Sequence, residues 1–136
     1  MILGIGSDLI DIRRIEAILA QFGKRFEKRV FTDIELAMAN ERDKLGPRIK
    51  AATLAKRFAA KEACAKALGT GIRDIRWKEM GVANLTSGQP VLRLTGRAAQ
   101  RLRDLVPKGF SAQIDLTMSD EYPIGLALVV LSANPM

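Results

Sequence analysis

The sequence predicts an α+β fold, with one long helix and shorter helices packed on a mainly antiparallel sheet. Three observations carry that reading. Apolar residues in the first half recur at three- and four-residue spacing, as in Ile12, Ile15, Leu19 and Phe22. Near the C-terminus, Phe110, Ala112, Ile114 and Leu116 alternate with Ser111, Gln113, Asp115 and Thr117, the pattern of a half-buried strand. A polar turn at Ser119–Glu121 then leads into Ile124–Leu131, nearly all apolar, which reads as a central strand closing an antiparallel hairpin. No repeat, linker or low-complexity stretch interrupts the chain, so residues 1–136 read as a single domain.

The elements follow in order. Ile2–Ser7 reads as a short strand leading to Asp8, and Asp11 caps a helix that Gly23 ends. Thr32-Asp33-Ile34-Glu35 is a capping box, in which hydroxyl and carboxylate satisfy each other's helix-start amides, and it opens a helix at about Asp33–Asn40. Gly46-Pro47 marks a turn before the long helix, about Arg48 to Leu68, closed by Gly69-Thr70-Gly71. Ile75–Asn84 alternates loosely, as a strand or an extended loop. Thr86–Pro90 turns into a strand at Val91–Leu94, and Thr95 caps a short helix that stops at Pro107.

Composition excludes several classes of function. The longest apolar run falls well short of the ~20 residues that span a membrane, and the first residues lack the basic region of a signal peptide. With one cysteine, Cys64, and no histidine, the chain has no internal disulfide, zinc site or histidine-based triad. A cytoplasmic setting, without membrane partners, is the expectation. Net charge is +7 and mostly N-terminal: Arg13–Arg29 holds six basic and two acidic residues, Arg42–Lys66 eight and two. Such a surface implies an anionic partner. Nucleic acid is a runner-up only, because aromatic platforms are scarce at 5% of the chain and no nucleic-acid-binding motif is present.

Two segments can carry chemistry. Gly4-Ile5-Gly6-Ser7-Asp8 lacks the third glycine of a dinucleotide fingerprint, but Gly4, Gly6 and Asp8 share one strand face that another backbone or a ligand can approach closely. In the long helix, Glu62 lies among apolar positions, on an arc with Ala51, Ala55 and Phe58 that ends at Lys66. It reads either as a surface ion pair with Lys66 or as a metal ligand. Lys50, Arg57 and Lys61 align within about 40°, a basic stripe beside it. Two carboxylates among cations, with no histidine, suit phosphoryl chemistry with Mg²⁺. Cys64 reads as a small buried filler.

Gly4–Ile12 and Arg57-Phe58-Ala59-Ala60-Lys61-Glu62-Ala63…Lys66-Ala67…Gly69-Thr70-Gly71-Ile72 resemble the two signatures of the short, single-domain 4′-phosphopantetheinyl transferases of the holo-[acyl-carrier-protein] synthase kind. Arg25-Phe26…Arg29-Val30-Phe31-Thr32…Glu35 and the Gly88-x-Pro90 turn match as well. The resemblance implies an α+β homotrimer with sites at subunit seams. It also implies transfer of phosphopantetheine from coenzyme A to a serine of apo acyl carrier protein, releasing adenosine 3′,5′-bisphosphate, for fatty acid biosynthesis. By motif, Asp8 and Glu62 hold Mg²⁺, Lys66 neutralises the attacked phosphate, and Arg57 and Lys61 meet coenzyme A phosphates. Gly88, Pro90 and Thr117 border the nucleotide, and Arg14, Arg25, Lys28 and Arg29 dock the carrier's acidic helix. The serine proton goes to Glu62, to Glu35 or, as favoured, to a metal-assisted water; Glu35 already has a sufficient role in its capping box. The chain departs from the family pattern at Gln113–Met118, where family members carry a serine and a histidine facing the nucleotide. A non-catalytic module binding acidic proteins through Arg13–Arg29 is the alternative from another class.

Overall fold

The computed structural model describes residues 1–136. Strand β1 (Ile2–Asp11) leads into helix α1 (Ile12–Phe22), followed by α2 (Lys24–Val30), α3 (Asp33–Asp43) and the long α4 (Pro47–Leu68). Two 3₁₀ turns at 72–74 and 77–79 precede β2 (Met80–Asn84), β3 (Pro90–Leu94), α5 (Gly96–Leu105), β4 (Phe110–Glu121) and β5 (Ile124–Pro135). The strands form two antiparallel sheets, β1-β5-β4 with β5 central, and the β2-β3 hairpin. Relative to the sequence reading, β1 is longer, reaching Asp11, because it pairs with β5 along its whole length from Ile2↔Ser132 to Asp11↔Ile124. The turn between β4 and β5 narrows to Tyr122-Pro123, and the loose 75–84 stretch resolves into a 3₁₀ turn and a strand. Helix α2 fills the Lys24–Val30 stretch that the sequence reading left without an element.

Helix α4 organises the molecule. Alanine is the best helix former, and eight alanines keep α4 slim enough to be enclosed on nearly every side. Pro47 starts it, and Gly69, left-handed at φ 75°, ends it. Its closest approach is to β1. A Cβ on Gly4 would lie 2.0 Å from the Ala67 carbonyl oxygen, and one on Gly6 would lie 1.9 Å from that of Ala63. The two glycines therefore admit the helix backbone itself, and this contact sets α4 against the strand that carries Asp8. The rest of the core, including Ile12, Ile15, Phe31, Met80, Val129 and Leu131, surrounds α4 from α1, the end of α2, the hairpin and β5. Cys64 is part of it, and burial pushes its thiol up to about 12.

The other face of the β1-β5-β4 sheet is bare. Side chains of a strand alternate between faces, so Ile5, Leu9, Ile124 and Leu126 point away from α4 and remain 58%, 67%, 44% and 37% exposed.

Candidate active site

Three chemical side chains meet where the end of β1 crosses α4. Asp8 shares a strand face with Gly4 and Gly6, so the glycine contact delivers it to the helix. Lys66, one turn beyond Glu62, donates from Nζ to Ser7 O at 2.9 Å and to Asp8 Oδ1 at 3.2 Å. Its partner is thus a carboxylate on another element, rather than Glu62 as i,i+4 spacing suggested. Glu62 is half-buried, and its carboxyl is raised above the ordinary 4.5, first by burial and then by the negative charge of Asp8. Lys66 and Arg14 act on it in the opposite sense. Arg14, on the first turn of α1, is therefore part of the electrostatic environment of Glu62. Two carboxylates that repel each other, with one lysine at 55% side-chain exposure, form an open site for a cation and an anion together.

The supposed basic stripe on α4 does not exist as a surface. Lys61 is fully buried and donates to Glu35 Oε1 at 2.8 Å, Trp77 O at 3.1 Å and Met80 O at 2.7 Å. All three ammonium hydrogens are used, so the expectation that Lys61 meets coenzyme A phosphates is corrected: it is a sealed structural cation. Burial pushes its pKa below the ordinary lysine value, while Glu35 pulls it back. Glu35 is equally occupied, accepting from Thr32 N at 2.8 Å and Val82 N at 3.0 Å besides Lys61. With zero exposure it cannot receive a proton from a substrate hydroxyl. Lys50 turns to Glu27, 3.5 Å away.

Arg57 is 3% exposed and turns inward as well, which corrects its placement on an open phosphate face. Its Nη1 donates to Thr53 O at 3.2 Å and its Nη2 to Asn84 Oδ1 at 2.8 Å. Asn84 Nδ2 in turn donates to Gly88 O at 2.9 Å. Arg57 thus pins the tip of the β2-β3 hairpin through Asn84, a residue that no sequence pattern singled out. Its Nε is the one buried side-chain polar atom without a partner. Gly88 is exposed at φ 92°, a backbone conformation that suits glycine, and Pro90 starts β3 beside it.

Within one chain these groups are dispersed. Positions 57 and 62 lie about 140° apart around α4, so the hairpin tip and the acids are attached to different sides of the helix. Thr117 pairs through Leu128 with Ser7 and shares the bare face of the sheet, whereas Asp8 faces α4. Arg14, Arg25, Lys28 and Arg29 are all exposed along α1 and α2.

A family model described as the 4′-phosphopantetheinyl transferase superfamily matches residues 4–127, from the first glycine of β1 into the first third of β5. The chain belongs to that superfamily. The transferase sequences similar to it include the holo-[acyl-carrier-protein] synthases of Sinorhizobium medicae, 56% identical over 100% of this chain and 95% of that protein, and of Rhodopseudomonas palustris strain BisB5, 57% identical over 99% and 97%. Among solved structures, the holo-[acyl-carrier-protein] synthase of Neisseria meningitidis superposes with a TM-score of 0.79 at 38% identity, covering 97% of this chain and 99% of that one. The Bacillus anthracis synthase, solved in complex with CoA (3′,5′-ADP), gives 0.75 at 32% identity, covering 96% of each. The α+β fold and the transferase class expected from the sequence are those of these relatives.

Proposed function

We propose that the protein, acting as one domain over residues 1–136, transfers 4′-phosphopantetheine from coenzyme A to a serine of apo acyl carrier protein. The serine oxygen bonds to the phosphorus that bears the pantetheine, the bond from that phosphorus to the bridging oxygen breaks, and adenosine 3′,5′-bisphosphate leaves. The observation that carries this reading is the exposed Lys66–Asp8 pair at an open edge of the β1–α4 contact, with Glu62 one turn before Lys66 on the same face of α4. Negative charge grows on the phosphate oxygens as the bond breaks, and Lys66, already exposed, is free to leave Asp8 and neutralise it.

The donor set fits Mg²⁺. Magnesium takes one or two carboxylates and fills its octahedron with substrate phosphates and water; Asp8 and Glu62 are such a pair, and nowhere do three or more Asp, Glu, Cys or His side chains converge into an all-protein cage. Bound between them, the ion would supply Lewis-acid polarisation of the pyrophosphate. Glu35, locked in its hydrogen bonds, is not the base for the serine proton, which goes instead to a water at the open edge, with Glu62 the alternative acceptor.

The dispersal of Thr117, Gly88 and Pro90 around one chain supports a site completed by a neighbouring copy, in a homotrimer. The bare apolar face carrying Ile5, Leu9, Ile124 and Leu126 is the surface such copies would cover. Thr117 and the Gly88–Pro90 tip would then border the nucleotide from different subunits. The exposed Arg14, Arg25, Lys28 and Arg29 would receive the carrier protein. No helix is long and apolar enough to cross a membrane, and the reading places the enzyme in the cytoplasm, in fatty acid biosynthesis. Incubation with coenzyme A, Mg²⁺ and apo carrier protein should raise the carrier's mass by one phosphopantetheine group. An unchanged mass across several carriers overturns the proposal.

A further inference from the structure

The largest cavity, about 1000 Å³, lies away from the acidic pair, between α2, the 72–79 segment and α5. Six exposed cations line it: Lys28, Arg29, Arg76, Lys78, Arg97 and Arg103. None of them belongs to any of the chain's six ion pairs. The only acid on the wall, Glu79, is already engaged, accepting from Arg76 N at 2.7 Å and Arg97 N at 2.5 Å. Glu79 thereby ties the start of α5 to the 3₁₀ turn and holds the cleft's two walls together. Six cations against the single carboxylate of Glu79 leave a net positive field in a concave site.

We propose that this cleft extends the carrier-docking surface beyond α1 and α2: Lys28 and Arg29 belong to both, and Arg76, Lys78, Arg97 and Arg103 add a second area that takes a further acidic segment of the carrier protein; this rests on the reading of the chain as a carrier-modifying transferase. Three observations select that occupant. The cations all sit at the surface, and only Arg103 is tied to a neighbouring side chain, donating to Gln100 Oε1 at 2.8 Å. They are therefore spread along the cleft rather than gathered around one phosphate, and carboxylates spaced along an acidic helix match them. One face of Trp77, the aromatic ring of the cleft, is covered by Phe58 at 4.8 Å, which leaves a poor platform for bases. Lys28 and Arg29 belong to α2, so the cleft continues the basic surface that runs from Arg14 along α1. The path along α1 and α2 is about 25 Å, which a domain of ~100 residues, with a radius of gyration near 13 Å, can bridge.

Trp77 is the only tryptophan of the chain and lines the cleft, so its emission reports occupancy. Titration with a tryptophan-free apo carrier protein should shift that emission saturably, and added salt should weaken the response. The Lys78→Glu/Arg97→Glu variant should lose the shift and raise KM for the carrier about tenfold, with kcat and KM for coenzyme A unchanged. Lys78→Ser/Arg97→Ser, which removes charge without reversing it, should raise the same KM about threefold and guards against misfolding of the first variant. A carrier KM unchanged in both folded variants overturns the proposal. So does a rise in KM for coenzyme A instead, or Trp77 emission that answers a single-stranded oligonucleotide and not the carrier. Wild-type protein that transfers nothing refutes the enzymatic reading; wild-type transfer with unaffected variants refutes only the second surface.

Discussion

Helix α4 carries two lysines five residues apart, each reaching a carboxylate on another element, and their surroundings give them opposite roles. Lys61 and Glu35 are both at zero exposure, 2.8 Å apart, with backbone partners taking every remaining hydrogen-bonding position of the ammonium. Lys66 and Asp8 are 3.2 Å apart at 55% and 20% exposure, with Glu62 repelling Asp8 nearby. The first pair holds α3, α4 and β2 in place and has no bond to spare. The second is loosely held, keeps unused valences, and can exchange its partners for a ligand. Identical chemical types become scaffold or site according to how much water they retain.

Breaking the sealed pair should have the largest effect. Lys61→Met leaves the Glu35 carboxylate buried without its cation, and we expect a loss of about 3–5 kcal/mol of unfolding free energy in denaturant titration. A loss below 1 kcal/mol would show that the pair is not the scaffold described. The mirror experiment, Lys66→Ala, should change stability by less than about 1 kcal/mol while lowering kcat by ~10²–10³-fold. Similar stability losses for both lysines would erase the contrast.

The smallest expected effect tests the acids by pH. The folded-state value of Glu62 lies above the ordinary 4.5, so its contribution to stability is fully present below that pH and is lost as pH rises through the folded-state value. Charged Glu62 therefore costs stability at neutral pH in the metal-free protein. Glu62→Gln should raise the unfolding free energy of the metal-free protein at pH 7 by less than about 1 kcal/mol given its partial exposure, seen as a slightly higher melting point, and the gain should vanish below about pH 4.5. Added Mg²⁺ should raise the melting point of the wild type more than that of the variant. A Gln variant less stable than wild type at pH 7 would mean that Asp8 does not strain Glu62.

The Thr32–Glu35 capping box was legible because it is local: both hydrogen bonds form within four residues. The Ala-rich helix with its Pro47 start and Gly69 stop, and the β4-β5 hairpin, were legible for the same reason. Gly4 and Gly6 announced a close approach on the Asp8 face, without saying whether backbone or ligand would fill it; α4 does. The alignment of Lys50, Arg57 and Lys61 on a helical wheel was misleading, since a wheel gives angle and not environment. The hairpin and α3 cover that side of α4 and draw Arg57 to Asn84 and Lys61 to Glu35. Asn84 left no signal, because its role depends on a hydrogen bond across 27 residues of chain. The cleft was legible only in part: Lys28 and Arg29 belong to the basic Arg13–Arg29 cluster, but Arg76, Lys78, Arg97 and Arg103 come from distant segments that only the fold brings beside them.

The amino-acid order by itself determined most of the elements, the Asp11 and Thr32 caps and the inventory of groups able to do chemistry, since propensity, capping and periodicity act over a few residues at a time; α2 and the strand at Met80–Asn84 needed the fold. The burial of each charge was decided only by tertiary packing. Desolvation depends on which distant segments close over a side chain, and that separated the lysine locked beneath the hairpin from the one left at the open edge.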